Sequence, residues 1–221
     1  YNINEDVKGY LWVDGTKLST VVVQGTDNDY YLRHNFYGKT ILGIPFIDYR
    51  ATLTAEKQSM NLTIYGHAAQ DGSYFAPIKE YKSLDYYRAH PVINFDTTYG
   101  RAKYKIIGAF MAEVRSDLPD YFNYHDYIDM TQEEYNTFLE EIDKRSYFNT
   151  TVDVQYGDEF ITLSTCETLT SEKPTPYRMV VVARKVRPGE SYAVDTSSAT
   201  ANTDMIMPEV WVEQNGKANP Y

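Results

Sequence analysis

Three side chains in this sequence could together break an acyl bond: Cys166, the only cysteine, with His67 and Arg178. A thiol attacks as the thiolate, and it reaches that state beside a base or a cation. A lone cysteine is more often a small buried hydrophobe than a catalyst. What points to covalent chemistry is therefore the company it keeps: an imidazole at the end of Asn61-Leu62-Thr63-Ile64-Tyr65-Gly66, and an arginine twelve positions after the cysteine. Residues 161–167 and 177–183 are β-branched and apolar and read as buried strands, whereas the insert 168–176 holds two prolines that a central strand would not accept. Cys166 is expected at the end of one strand and Arg178 near the start of the next, where a rigid scaffold can present a nucleophile to a cleft.

The elements that must position these groups are mostly strands. Alternating or apolar runs place them at 9–16, 20–24, 91–95 and 104–114, and at 61–67, where a glycine precedes the imidazole. Residues 41–49 read as a core strand broken by Pro45, and 72–84 as a short helix or turn begun by Pro77, with Ile78, Tyr81 and Leu84 on one side. One longer helix is predicted over 131–145: Thr131-Gln132-Glu133-Glu134 is a capping box, and Tyr135, Phe138, Leu139 and Ile142 make one apolar stripe. From Pro188 the chain changes character. A polar run, 195–204, reads as a flexible lead to 205–212, whose Met205, Ile206, Met207, Val210 and Trp211 are too apolar to be left in water.

With 31 acidic and 21 basic residues, the formal charge of −10 provides no basic stripe for nucleic acid and no electrostatic attraction to an anionic membrane. No apolar run reaches 18 residues, the length of a membrane span. One cysteine excludes an internal disulfide and a multi-cysteine zinc site, and the remaining histidines, His34, His90 and His125, lack metal-ligand spacing and read as solvated or structural. No metal and no cofactor is expected, since no phosphate loop or dinucleotide fingerprint occurs. The 22 tyrosines suit a peptide groove, each offering a rigid apolar face and a polar tip.

Three separated blocks, Tyr65-Gly66-His67, Thr162-Leu163-Ser164-Thr165-Cys166 and Arg178 opening Met179-Val180-Val181-Val182-Ala183, occur in an order that resembles the sortases, cysteine transpeptidases of Gram-positive surfaces. Tyr31-Leu32-Arg33, Phe46-Ile47-Asp48-Tyr49-Arg50 and Asp71-Gly72-Ser73-Tyr74-Phe75-Ala76 extend the likeness to class B over about 30–185. The resemblance implies an all-β fold with short helices: a closed eight-stranded barrel with N-terminal helical segments and the helix near 131–145. It divides the chain into a catalytic domain, 1–187, and a C-terminal extension, 188–221.

It implies Cys166 as nucleophile, His67 as acid and base and Arg178 as the oxyanion donor, with Asn28, Leu32, Tyr65, Tyr124, Ser164 and Glu167 lining the substrate groove. The partners it implies are a sorting-signal peptide of a surface protein, of the Asn-Pro-x-Thr type or a variant, and an amine. That amine comes from a peptidoglycan precursor or, in a pilin-polymerising enzyme, from a pilin lysine. The expected location is the extracellular face of the membrane, held by an N-terminal anchor upstream of this segment. A module that kept the groove and binds peptide without turnover is the non-enzymatic alternative, disfavoured because binding alone needs no thiolate.

Overall fold

Alternating apolar side chains turn much of the sequence into strands, and the computed structural model describes residues 4–40, 42–165 and 177–216. In chain order the strands are β1 (Val7–Trp12), β2 (Ser19–Val23), β3 (Phe46–Ile47), β4 (Asn61–Gly66), β5 (Val92–Thr97), β6 (Gly100–Glu113), β7 (Phe148–Asn149), β8 (Phe160–Thr165), β9 (Tyr177–Lys185) and β10 (Thr200–Ala201). The helices are α1 (Leu84–Ala89), α2 (Gln132–Arg145) and α3 (Glu209–Asn215). Eight strands close into a barrel in the order β1-β2-β3-β4-β8-β9-β6-β5, which leaves no open edge. The barrel is mixed: β2 with β3 and β4 with β8 run parallel, and the other pairs are antiparallel. The helical element of the N-terminal part is a 3-10 turn, Tyr30–Leu32.

Parallel strands are covered on both faces, and β8 shows it. Ile161 and Leu163 point into the main core, while Phe160, Thr162 and Ser164 are equally buried beneath the elements packed outside. The largest of those elements is α2, which starts with the expected capping box and buries Tyr135, Phe138 and Ile142. It lies so close to β6 that a Cβ on Gly108 would stand 2.5 Å from Ile142 Cγ2, so glycine is required there. The strand expected at 41–49 is only Phe46–Ile47, with residue 41 outside the described residues. The reason is Pro45: lacking an N–H it offers only its carbonyl, which accepts from Val23 N at 3.1 Å. Ile78 and Tyr81 are buried as their spacing implied, but the helical region runs further, through α1, because Ser83 supplies an N-cap that accepts from Tyr86 N.

The C-terminal residues wrap the barrel. The run 195–204, whose composition suggests a flexible lead, instead contributes β10, which pairs with β7, and buries Ala199. Met205 and Trp211 join the main core, as the apolar content of 205–212 required. The wrap begins at an ion cluster on the end of β9. The fully buried Arg184 forks onto Glu190 through Nη1 to Oε2 at 2.6 Å and Nη2 to Oε1 at 2.7 Å, and Lys105 reaches Glu190 Oε1 at 2.5 Å. Arg184 above all holds the Glu190 carboxyl far below its ordinary value of 4.5, so this group stabilises the fold above that pH and the contribution fades as pH falls toward the folded-state value. Glu190→Gln is accordingly expected to lower the melting temperature near neutral pH. The deficit should shrink below about pH 4.5, and melting curves from neutral pH to pH 3 check it. A pH-independent deficit would show that the cluster is held by shape and not by charge.

Candidate active site

β4 ends in Gly66, and His67 is the next residue. A Cβ on Gly66 would lie 2.8 Å from two ring atoms of Phe75, while Phe75 N donates to the His67 carbonyl at 3.0 Å. Glycine thus lets Phe75 pack under the strand end and hold the histidine backbone. The imidazole is 3% exposed, and its Nε2 lies 2.8 Å from the Leu32 carbonyl oxygen. A carbonyl only accepts, so Nε2 carries a proton and Nδ1 is the atom left to take one up or release one. Nδ1 has no hydrogen-bond partner among the described residues.

Across the barrel wall, Tyr65 pairs with Ser164 and Gly66 with Thr165, the residue that precedes Cys166. Cys166 and Glu167 lie outside the described residues. Thr165 fastens the neighbouring strand: its Oγ1 accepts from Met179 N at 2.9 Å. Arg178, second residue of β9, is thereby held beside the end of β8, opposite the small Ala112 of β6.

His67, Arg178 and Thr165 line one cavity of about 430 Å³, within the size range of small-ligand sites. Its walls include Asn28, Leu32, Tyr65, Tyr124 and Ser164. The structure therefore brings together seven of the nine residues that the sequence nominates, and the other two are Cys166 and Glu167. Tyr124 and Ser164 hydroxyls share a hydrogen bond at 2.7 Å, and Asn28 Oδ1 accepts from Tyr49 N at 3.1 Å.

A buried carboxylate organises one side. Asp48, wholly inaccessible, accepts from Tyr65 OH at 2.9 Å and from Arg50 at Oδ1 and Oδ2. Burial would raise its pKa, but the hydrogen bonds from Arg50 and Tyr65 outweigh that and keep it below the usual carboxylate range. Burial, and then the Asp48 charge, push the Tyr65 hydroxyl far up, so it stays a donor. Arg50 also binds Asp126 and the His125 carbonyl, which ties the turn carrying Tyr124 to the strand carrying Tyr65.

Several contributors escape the sequence. The Leu32 carbonyl that orients His67 is backbone and has no signature. His125, expected to be solvated or structural, faces the cavity, where burial lowers its pKa and favours the uncharged ring. Glu113, Val114 and Tyr121 also line the cavity, and only the fold brings them there. Among the described residues no cluster of His, Cys, Asp and Glu is arranged to hold a metal ion, and no helix is long and apolar enough to cross a membrane.

The family model for the sortase domain matches residues 11–186. Sortase B of Staphylococcus aureus is 32% identical over 188 residues, covering 84% of this chain and 72% of that protein. The structure of a Staphylococcus aureus sortase B–substrate complex superposes with a TM-score of 0.75 at 32% identity, covering 84% of this chain and 82% of that one. A sortase B complexed with triglycine superposes with a TM-score of 0.74 at 31% identity, covering 84% and 83%. A closed eight-stranded mixed barrel, a histidine lining a cavity beside the strand that leads to the only cysteine, and an arginine on the adjoining strand fit that family's chemistry, and with the sequence match they establish that the chain belongs to the sortase family, class B, the cysteine transpeptidases of cell-wall sorting.

Proposed function

We propose that this enzyme cleaves a C-terminal sorting signal of a surface protein after threonine and transfers the acyl group to an amine. The observation that carries the reading is the gathering of His67, Arg178, Tyr65 and Ser164 on one cavity at the strand end that precedes Cys166. An extended peptide lies in this cavity with its threonine carbonyl against Cys166. The Cys166 thiolate adds to that carbon, and the oxygen becomes an oxyanion that Arg178 meets with charge-assisted hydrogen bonds. The tetrahedral intermediate collapses to a thioester as the C–N bond breaks, and His67 gives the departing amine its proton from Nδ1. In the second half an incoming amine loses a proton to Nδ1 and adds to the thioester. Collapse then expels the Cys166 thiolate and leaves a new amide.

The Tyr124–Ser164 hydrogen bond and the Asp48–Arg50 network supply a rigid surface for the bound peptide. Asn28, Leu32, Tyr65, Tyr124, Ser164 and Glu167 are its proposed contacts, and the signal is of the Asn-Pro-x-Thr kind or a variant. The complexes of related sortase B structures with a substrate and with triglycine support both halves of the reaction. The work would be done at the extracellular face of the membrane, where sorting signals and cell-wall amines meet.

The test is to incubate the protein with a pentapeptide library built on Asn-Pro-x-Thr, together with triglycine and an Nα-blocked lysine, and to read products by mass spectrometry. Peptide cut after threonine and joined to triglycine is the expected product. Joining to the lysine side chain alone would reassign the acceptor to a pilin-type lysine, and an uncut library would remove the reading.

A further inference from the structure

The sortase-domain match ends at residue 186, and the chain beyond it is not idle, because α3 docks on the segment that forms one wall of the cavity. That segment runs from Glu113, the last residue of β6, to Tyr121; Glu113, Val114 and Tyr121 line the cavity. Between those ends it forms no strand, and its internal backbone hydrogen bonds are Leu118 N to Arg115 O and Tyr121 N to Leu118 O. Its shape therefore depends on what holds its ends.

The first turn of α3 bonds to both ends, and Arg145 of α2 also donates to the Asp120 carbonyl at 2.9 Å. Val210 N donates to Glu113 Oε2 at 3.1 Å, and Glu209 N donates to Asp120 Oδ2 at 3.2 Å. Arg115 adds a second tie, binding Glu113 Oε2 at 3.2 Å and Glu213 Oε2 at 3.3 Å. The Glu113 side chain is 1% exposed, and its other oxygen accepts from Val114 N and Arg115 N. Both oxygens of this carboxylate are thus spent on ordering the wall and joining it to α3. The helix in turn is anchored by Trp211, which is buried in the main core with Met205. The same strand end abuts the catalytic side of the barrel: Glu113 pairs with Tyr177 and Ala112 with Arg178.

We propose that α3 is a brace for the substrate groove, with Glu113 the positioning residue through which it sets the wall 113–121, so that residues 188–216 belong to the working enzyme. The inference rests on the proposed peptide-cleaving function for its kinetic consequence, while the mechanical coupling stands without it.

The experiment uses the full chain carrying Trp211→Ala, Trp211→Phe or Glu113→Gln. It measures kcat and KM on whichever Asn-Pro-x-Thr pentapeptide the parent cleaves, and hydrogen exchange across 113–121, both well below the melting temperature. Trp211→Ala and Glu113→Gln are expected to raise KM by about three- to tenfold, the scale of one lost hydrogen bond, with a smaller change in kcat and faster exchange across 113–121. Trp211→Phe, which refills the anchor site, should restore both. A lower melting temperature with unchanged KM and unchanged exchange would overturn the brace and leave the helix a purely stabilising element. Faster turnover would overturn it too, by making the helix a cap. Should Trp211→Ala not fold, Glu113→Gln decides. If the parent cleaves no pentapeptide, the functional reading falls by itself, and the exchange data still settle whether α3 governs the wall.

Discussion

Exchange of Cys166 for alanine is expected to abolish peptide cleavage, and exchange of His67 for alanine to lower kcat/KM by about 10²–10⁴, the usual worth of a positioned acid and base. The two losses differ in kind. In the proposed mechanism no acyl-enzyme forms without the sulfur, so no residual path of that mechanism survives. Without the imidazole the thiol can still ionise to some extent and attack, but the departing amine must find its proton in solvent. The structure gives the histidine little freedom to be replaced by a neighbour. Its Nε2 is committed to the Leu32 carbonyl and its ring is buried, so Nδ1 is the one atom on which a proton can be exchanged. His125 also faces the cavity, but burial disfavours its charged form, which makes it a poor substitute as an acid. Steady-state kinetics on the cleaved pentapeptide, with circular dichroism to confirm the fold, check the pair. A His67→Ala enzyme within tenfold of the parent would remove His67 from proton transfer, and turnover by Cys166→Ala would remove the covalent mechanism.

What can be read in the sequence divides along a physical line. β4, β8, β9 and α2 are legible because each carries its cause locally: alternation or β-branched runs, a capping box, an apolar stripe at helical spacing. The convergence of His67 and Arg178 is legible only through the motifs around them. Composition and periodicity place each at a strand end but not side by side, which needs β4 to lie parallel to β8 across the long connection between them. The hidden part is carried by atoms without a sequence pattern. The Leu32 carbonyl is backbone, and Asp48 becomes a hub only when folding brings Tyr65 and Arg50 to it.

The polar run 195–204 misleads for the opposite reason. Its hydrophilic composition argues for a solvated loop, yet β10 needs only backbone groups to pair with β7, and the buried Met205 and Trp211 beyond it fix the chain in place. Local composition measures what a segment can bury by itself, not what its neighbours hold. The same lesson applies to Glu113, an ordinary acidic residue at a strand end in sequence. In the fold it is a buried acceptor for three backbone N–H groups.

Arg178→Ala is expected to lower kcat by about 10²–10³ with KM changed far less, because in the proposed mechanism Arg178 meets the oxyanion, and such a donor acts on the transition state and contributes little to the ground-state peptide. Arg178→Lys tests the geometry apart from the charge. A guanidinium presents two parallel N–H donors from a planar fork, and an ammonium is a point charge on a flexible stem. The backbone that carries the side chain is fixed: β9 is tied to β8 by the Met179 N to Thr165 Oγ1 bond and pairs with β6 at Ala112. The lysine enzyme should therefore keep the alanine variant's defect to within about tenfold, although it carries the same charge as the parent. Measuring kcat and KM for both variants on the same pentapeptide gives the answer. Near-parental activity in Arg178→Lys would mean that the long-range field of a cation is enough, and that the oxyanion is held by backbone N–H groups. A defect confined to KM in Arg178→Ala would instead make the residue a peptide-binding contact, and the oxyanion would have to be assigned to another donor.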